Sequence, residues 1–303
     1  MASGDLITAA RYNNAQSRVQ AVLGTGSGDE GYGQTVSSSI VNSSNRVTAQ
    51  DINNLFEDIK KIRVHQTGGI PNSISQISVG DTIGDADSDG DVTKGFADYE
   101  TIISTIETVG QRFLLASTQS STDVDAKVDQ RRNQWTAPID TEFKITFTDA
   151  DHRRHFFNSG GSLTVVSSLS NPPTSGDSVA KSQDWQNILS NSGTVSFNYN
   201  ETTTSGTGVV QSIGNYDLTT SYQEIFRKSA TGVYGNNNYY IRAKEIDSKT
   251  IQIQIEYFDH NPGGYKIDEP IQGLLEAKMG YVRASGIHVD VEAPAFAVVN
   301  SLA

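Results

Sequence analysis

The sequence predicts an α+β protein: a helical N-terminal part followed by a mainly antiparallel, β-sandwich-like domain. Three observations carry that reading. In the first third of the chain, apolar residues recur at steps of three and four. After about residue 130 the period drops to two. Connections rich in Ser, Thr, Asn and Gly separate the alternating runs, as in small-strand β architectures.

The helices come first. "TAARYNNAQSRVQAVL" (8–23) offers Thr8 as an N-cap, sets Tyr12, Ala15, Val19 and Val22 on one face, and meets Gly24 at its end. "TAQDINNLFEDIKKI" (48–62) is the clearest helix. Thr48 and Asp51 form a capping-box pair, and Ile52, Leu55, Phe56, Ile59 and Ile62 trace one stripe. "FADYETIISTIETVGQRFLLA" (96–116) aligns Tyr99, Ile102, Ile103, Ile106 and Phe113. None of the three carries sustained heptads, so a coiled coil is not expected.

The strands follow. "EFKITFT" (142–148), "GTVSFNYN" (193–200), "TIQIQIEYF" (250–258) and "GIHVDVEAP" (286–294) alternate apolar and polar residues. Strict alternation buries one face and wets the other, which is the signature of antiparallel sheets. The stretches 170–178, 200–208 and 234–240 read as loops. The economical division is a helical anchoring region at 1–117, a connector at 118–132 and a β domain at 133–303.

Bulk properties narrow the function. The chain has 303 residues and a net charge of −12, from 23 Lys and Arg against 35 Asp and Glu. Such an acidic protein repels phosphate backbones, so nucleic acid is not an expected partner. The absence of cysteine excludes disulfides, thiolate metal sites and cysteine nucleophiles. The N-terminus lacks the basic and apolar regions of a signal peptide, and no apolar run approaches about 18 residues, so no membrane partner is expected.

Three stretches invite a chemical reading. "VLGTGSGDEGYG" (22–33) follows a helix rather than a strand and carries Asp29 and Glu30, which disfavour phosphate; a helix end running into a flexible loop is expected. "DADSDGDVTKGF" (85–96) places Asp85, Asp87, Asp89 and Gly90 at the first, third, fifth and sixth positions of a calcium loop, with Asp91 beside them. Phe96 stands where the bidentate carboxylate belongs. Asp85, Asp87, Asp89 and Asp91 are therefore candidate ligands of a weak calcium site, the alternative being a solvated acidic loop at the head of a helix. "HRRHFFNSGGSLTVV" (152–166) sets His152 and His155 three apart, which fits neither one strand face nor the four-residue frame of a helical zinc motif. His65, His260 and His288 stand alone. A structural corner is expected there: a polar connection, buried Phe156 and Phe157, a turn at 158–161, then a strand. No residue is assigned a catalytic or cofactor-binding role.

Several blocks together suggest kinship. "ARYNNAQSRVQAVLGTGSGDEGYGQ" (10–34), "KGFADYE" (94–100), "QRFLLASTQSS" (111–121) and "NQWTAPIDTEFKITFTDADHRRHFFNSGG" (133–161) occur in this order. They resemble the blocks of a family of virion structural proteins of contractile-tailed bacteriophages, including those infecting cyanobacteria. "GNYDLTTSYQEIFRK" and "YYIRAKEIDSKTIQIQIEYFD" fit the same pattern more loosely. The resemblance implies a non-enzymatic particle component at the tail, baseplate, fibre or neck, located in the virion and partnered by other virion proteins and copies of itself. Two alternatives stay open. One is an adhesin for host-surface glycan, using the aromatics of "YGNNNYY" (Tyr239 and Tyr240) and the acidic loop as a calcium-assisted sugar site. The other is a capsid decoration protein. An enzyme ranks last, since glycoside hydrolysis needs a defined carboxylate pair and none is favoured.

Overall fold

The computed structural model describes residues 7–69, 74–81, 83, 95–108, 116–260 and 268–302. It has the α+β class that the periodicities predict. The chain divides into two compact units: one made of Met1–Ser121, Arg154–Gly160 and Arg283–Glu292, the other of Thr122–Arg153, Gly161–Val282 and Ala293–Ala303.

The first unit is built on three helices, each packed against the other two: α1 (Ala9–Leu23), α2 (Ala49–Thr67) and α3 (Phe96–Glu107). Their buried residues are the stripes seen in the sequence, from Tyr12 to Leu23, Ile52 to Ile62 and Phe96 to Ile106. Local chemistry sets the ends. The Thr8 hydroxyl accepts the Arg11 N–H, Thr48 and Asp51 form the capping box, and Gly68 closes α2 in the left-handed conformation at φ 82°. Arg11 pairs with Glu100 at 2.6 Å and Arg18 with Glu107 at 2.5 Å. Both pairs step by two turns in the same sense, so α1 and α3 run in the same direction. No described helix is long and apolar enough to cross a membrane.

The second unit holds two sheets. One has six strands in the order β11-β2-β9-β8-β7-β6 and the other five in the order β1-β10-β3-β4-β5. The strands are β1 (Ser120–Arg131), β2 (Ile139–Thr146), β3 (Ser162–Ser170), β4 (Val195–Phe197), β5 (Thr202–Thr204), β6 (Val209–Val210), β7 (Gln223–Ser229), β8 (Asn238–Asp247), β9 (Thr250–Phe258), β10 (Leu274–Ala284) and β11 (Ala295–Asn300). In the six-stranded sheet Phe143 lies opposite Ile253 and Ile253 opposite Ala243, all fully buried. Glu142, Lys144, Gln252 and Arg242 occupy the other face. The two sheets meet through their buried faces, where the Ser167 hydroxyl of β3 lies within hydrogen-bond distance of Tyr257 on β9 and Tyr239 on β8.

Several expectations are corrected. The stretch 152–166 is not a turn-built corner: Ala150–Asn158 is a helix, α4, and the turn is confined to Ser159 and Gly160 before β3. The connector at 118–132 is mostly the strand β1, whose polar sequence lacks alternation because it lies at a sheet edge and buries little. The alternation of 286–294 does not make a strand; Val289 and Val291 are buried, but the segment has only the bridge of Ser285 to Asp290. Residues 179–192, between predicted strands, form the helix α5 (Val179–Ser192). α3 ends at Glu107, short of the predicted residue 116, and 109–115 lie outside the described residues. The unit boundary also differs from 117/133, since 154–160 and 283–292 group with the helices.

Candidate functional site

Each polar side chain of the His-Arg-Arg-His stretch has a hydrogen-bond partner, and Arg154 and His155 share one. Asp149 Oδ1 accepts the His152 N–H at 2.7 Å, an N-cap contact that starts α4 inside a very polar segment. The His152 ring takes the Thr148 N–H on Nδ1 at 3.1 Å and stands edge-on to Phe147. Arg153 is buried; its guanidinium donates to Asn215 Oδ1 at 2.7 Å and to Glu245 Oε2 at 2.6 Å. Arg154 Nη2 and His155 Nε2 both reach the Thr25 carbonyl, at 3.0 and 2.9 Å. A carbonyl can only accept, so His155 carries its proton on Nε2 there. These are structural tethers, as the sequence suggests, although the element is a helix.

Thr25 belongs to the glycine-rich stretch 22–33, and that stretch is a built turn. Tyr32, Gly33 and Gln34 donate their N–H groups back to the carbonyls of Val22, Gly24 and Leu23, capping the end of α1. Gly31 and Gly33 supply the positive φ, 101° and 71°, that the reversal needs. Asp58 on α2 is fully buried and fixes the chain beyond it, accepting the N–H groups of Ser37 and Ser38 and the ammonium of Lys61.

Asp85, Asp87, Asp89 and Asp91 lie outside the described residues. Among the described residues no group of three or more His, Asp or Glu could hold a metal ion. The tyrosine pair of 239–240 splits. Tyr239 is 1% exposed and belongs to the core, which removes it from a surface sugar site. Tyr240 is half-buried on the opposite face of the six-stranded sheet, with Arg242 4.7 Å from its ring centroid. The same face carries Tyr222, which donates to Glu142 Oε1 at 2.7 Å under the ammonium of Lys244, 4.1 Å from its ring. Burial, then the bond to Glu142, pushes the Tyr222 phenol up.

The most concentrated polar chemistry is a cluster that the sequence does not reveal. Lys181, in the first turn of α5, is 2% exposed. Its Nζ lies 2.9 Å from Asp259 Oδ2, immediately after β9, and 2.5 Å from Asp268 Oδ1. Asp259 is fully buried, and among the described residues its Oδ1, like Asp268 Oδ2, has no hydrogen-bond partner. Trp185 lies beside Asp259 and modestly favours its charged form without meeting hydrogen-bond geometry. The Trp185 ring is packed between Trp135 at 6.5 Å and Tyr257 at 6.1 Å. Burial raises Asp259 above the usual carboxylate range despite the nearby ammonium. Burial pulls Lys181 down, but its bonds to Asp268 and Asp259 outweigh this and leave it raised. Three residues separated by 78 and 87 positions leave no local signature.

Comparison of the chain with protein-family models, curated proteins and solved structures finds no match.

Proposed function

We propose that the protein is a non-enzymatic structural component of a bacteriophage virion, at the tail, baseplate, fibre or neck, assembled through contacts with other virion proteins and with copies of itself. The observation that carries the assembly part of this reading is β11. It is the last strand of its sheet, paired on one side with β2 and, among the described residues, with no strand on the other. Its sequence, AFAVVN, has neither a charge nor a proline, and Ala295, Ala297 and Val299 are exposed. Edges that must stay solitary are guarded by lysine, proline or bulges. The β11 edge has one register shift, between Val298 and Asn300 at its end, and the uncharged, proline-free stretch before it supports strand addition by a neighbouring chain. The phage assignment rests on the sequence blocks that resemble virion structural proteins.

The adhesin reading draws support from one different feature, the outer face of the six-stranded sheet, where half-buried Tyr222 and Tyr240 lie under Lys244 and Arg242. Locating the protein in intact particles by immunogold labelling or cryo-EM density separates the readings. Label at the tail, baseplate, fibre or neck is the expected result. Label over the capsid favours decoration, and absence from particles overturns the proposal. Light scattering on the purified protein tests the edge: the Ala297→Lys, Val299→Lys double variant is expected to lower the oligomeric state without lowering the melting temperature.

A further inference from the structure

The Lys181 cluster is poorly explained as a static ion pair. One ammonium faces a buried and a partly buried carboxyl group, and among the described residues each keeps an oxygen without a partner. If both were ionised, the site would bury a net negative charge with unmet acceptor capacity, a costly arrangement. The economical state of such a coupled group holds a proton on the more buried carboxyl, Asp259. The site then contains an acid, a carboxylate and an ammonium within hydrogen-bond reach of one another. These are the components of an amide condensation, with Lys181 and Asp259 both buried away from bulk water beside Trp185.

We propose that Lys181 and Asp259 condense into an intramolecular isopeptide bond, with Asp268 as the proton carrier. Asp268 takes a proton from the Lys181 ammonium. The freed Nζ lone pair adds to Cγ of protonated Asp259, forming the C–N bond. The C–O bond to the Asp259 hydroxyl then breaks, and the hydroxyl leaves as water with the proton returned by Asp268. The remaining excess proton on nitrogen passes to Asp268, which ends as the acid. One water is released and nothing is oxidised or reduced. The fold supplies the proximity that makes such a reaction effectively unimolecular, since Nζ already sits 2.9 Å from Asp259 Oδ2. Exclusion of water suppresses the reverse hydrolysis. Asp259 is the electrophile because it is the fully enclosed carboxyl; Asp268, with its side chain 14% exposed, can exchange its proton. The product joins the first turn of α5 to the end of β9 and removes both charges of the starting site, the Lys181 ammonium and the Asp268 carboxylate. This inference is independent of the proposed virion role.

Intact-mass spectrometry of the purified full chain tests it. The folded protein is expected to weigh one water less than its sequence, and digestion is expected to yield a branched peptide joining the segments that contain Lys181 and Asp259. Lys181→Met, Asp259→Ala and Asp268→Asn are each expected to restore the full mass. The wild-type measurement is decisive even where a variant fails to fold. Full mass in folded wild-type protein after prolonged incubation at neutral pH overturns the proposal. So does a water loss that fragmentation maps to Asp268 or to another residue.

Discussion

The phenol of Tyr257 on β9 lies 2.7 Å from the hydroxyl of Ser167 on β3, a buried hydrogen bond that joins the two sheets. Tyr239 donates to the same hydroxyl at 3.0 Å, and its ring stacks on Tyr257 at 5.6 Å. One serine therefore satisfies two buried phenols. Ser167→Ala is expected to cost about 1–3 kcal/mol in urea unfolding, because both phenols lose a partner that water cannot replace. Adding Tyr239→Phe and Tyr257→Phe to that variant should return part of the loss, since no orphaned hydroxyl then remains.

Asp58 plays the corresponding part among the helices. It accepts two backbone N–H groups, from Ser37 and Ser38, and contacts Lys61 from a fully buried position. Asp58→Ala should destabilise the protein by about 3 kcal/mol, since each buried amide left unsatisfied costs about 1–3 kcal/mol. Lys61→Ala should cost much less, because its ammonium is partly solvated. Hydrogen exchange should show the Ser37 and Ser38 amides losing protection in Asp58→Ala first.

His65 predicts a pH dependence. Burial pulls its imidazole down to about 4, against the opposing effect of its hydrogen bond to the Ser159 carbonyl. In the unfolded chain the same group titrates near 6.5. Between these values the unfolded state binds more protons, so the stability is fully present above about 6.5 and is lost as pH falls toward 4. The loss is on the order of 3 kcal/mol. Asp184 acts in the opposite sense: burial raises it to about 6, so its charged form opposes folding at neutral pH and that penalty lifts as pH falls through 6. The clean readout is the difference between wild type and His65→Gln across pH 4 to 7, which should be sloped rather than flat.

Gly33 is held to glycine twice over, by φ 71° and by a Cβ that would stand 2.3 Å from His155 Nδ1. Gly33→Ala is expected to cost about 1–3 kcal/mol in backbone strain and to lower the melting temperature further through displacement of His155 from Thr25. In a His155→Ala background the same substitution should cost less, and a double-mutant cycle measures the coupling.

What is legible in the sequence follows from how local each cause is. The capping box of Thr48 and Asp51 and the stripe of α2 are written within a few residues, and both stand in the structure. The alternation of β9 is equally plain because β9 is held on both edges by β2 and β8 and buries one face along its whole length. α4 escapes notice because its apolar residues, Phe156 and Phe157, sit together at one end; only Asp149, placed to cap, announces a helix. α5 hides its stripe behind buried polar residues, Lys181 and Ser182. The segment 286–294 misleads in the opposite way, since alternation reports burial on one side and cannot report whether a partner strand is present. The Lys181 cluster is assembled entirely by long-range topology. Its one local hint is Asp259, a carboxylate directly following a fully alternating strand.

The helical unit takes its members from three separated parts of the chain, and His65 of α2 finds its acceptor only at Ser159. During synthesis the first hundred or so residues therefore emerge without the pieces that complete their packing. They must wait for residues 154–160 and then for 283–292, far along the chain. Cleavage anywhere in 117–134 would free a fragment lacking those pieces, so the N-terminal region is not a detachable cassette. Its maturation is tied to the whole polypeptide, and an incomplete chain would have no finished helical surface to offer a partner.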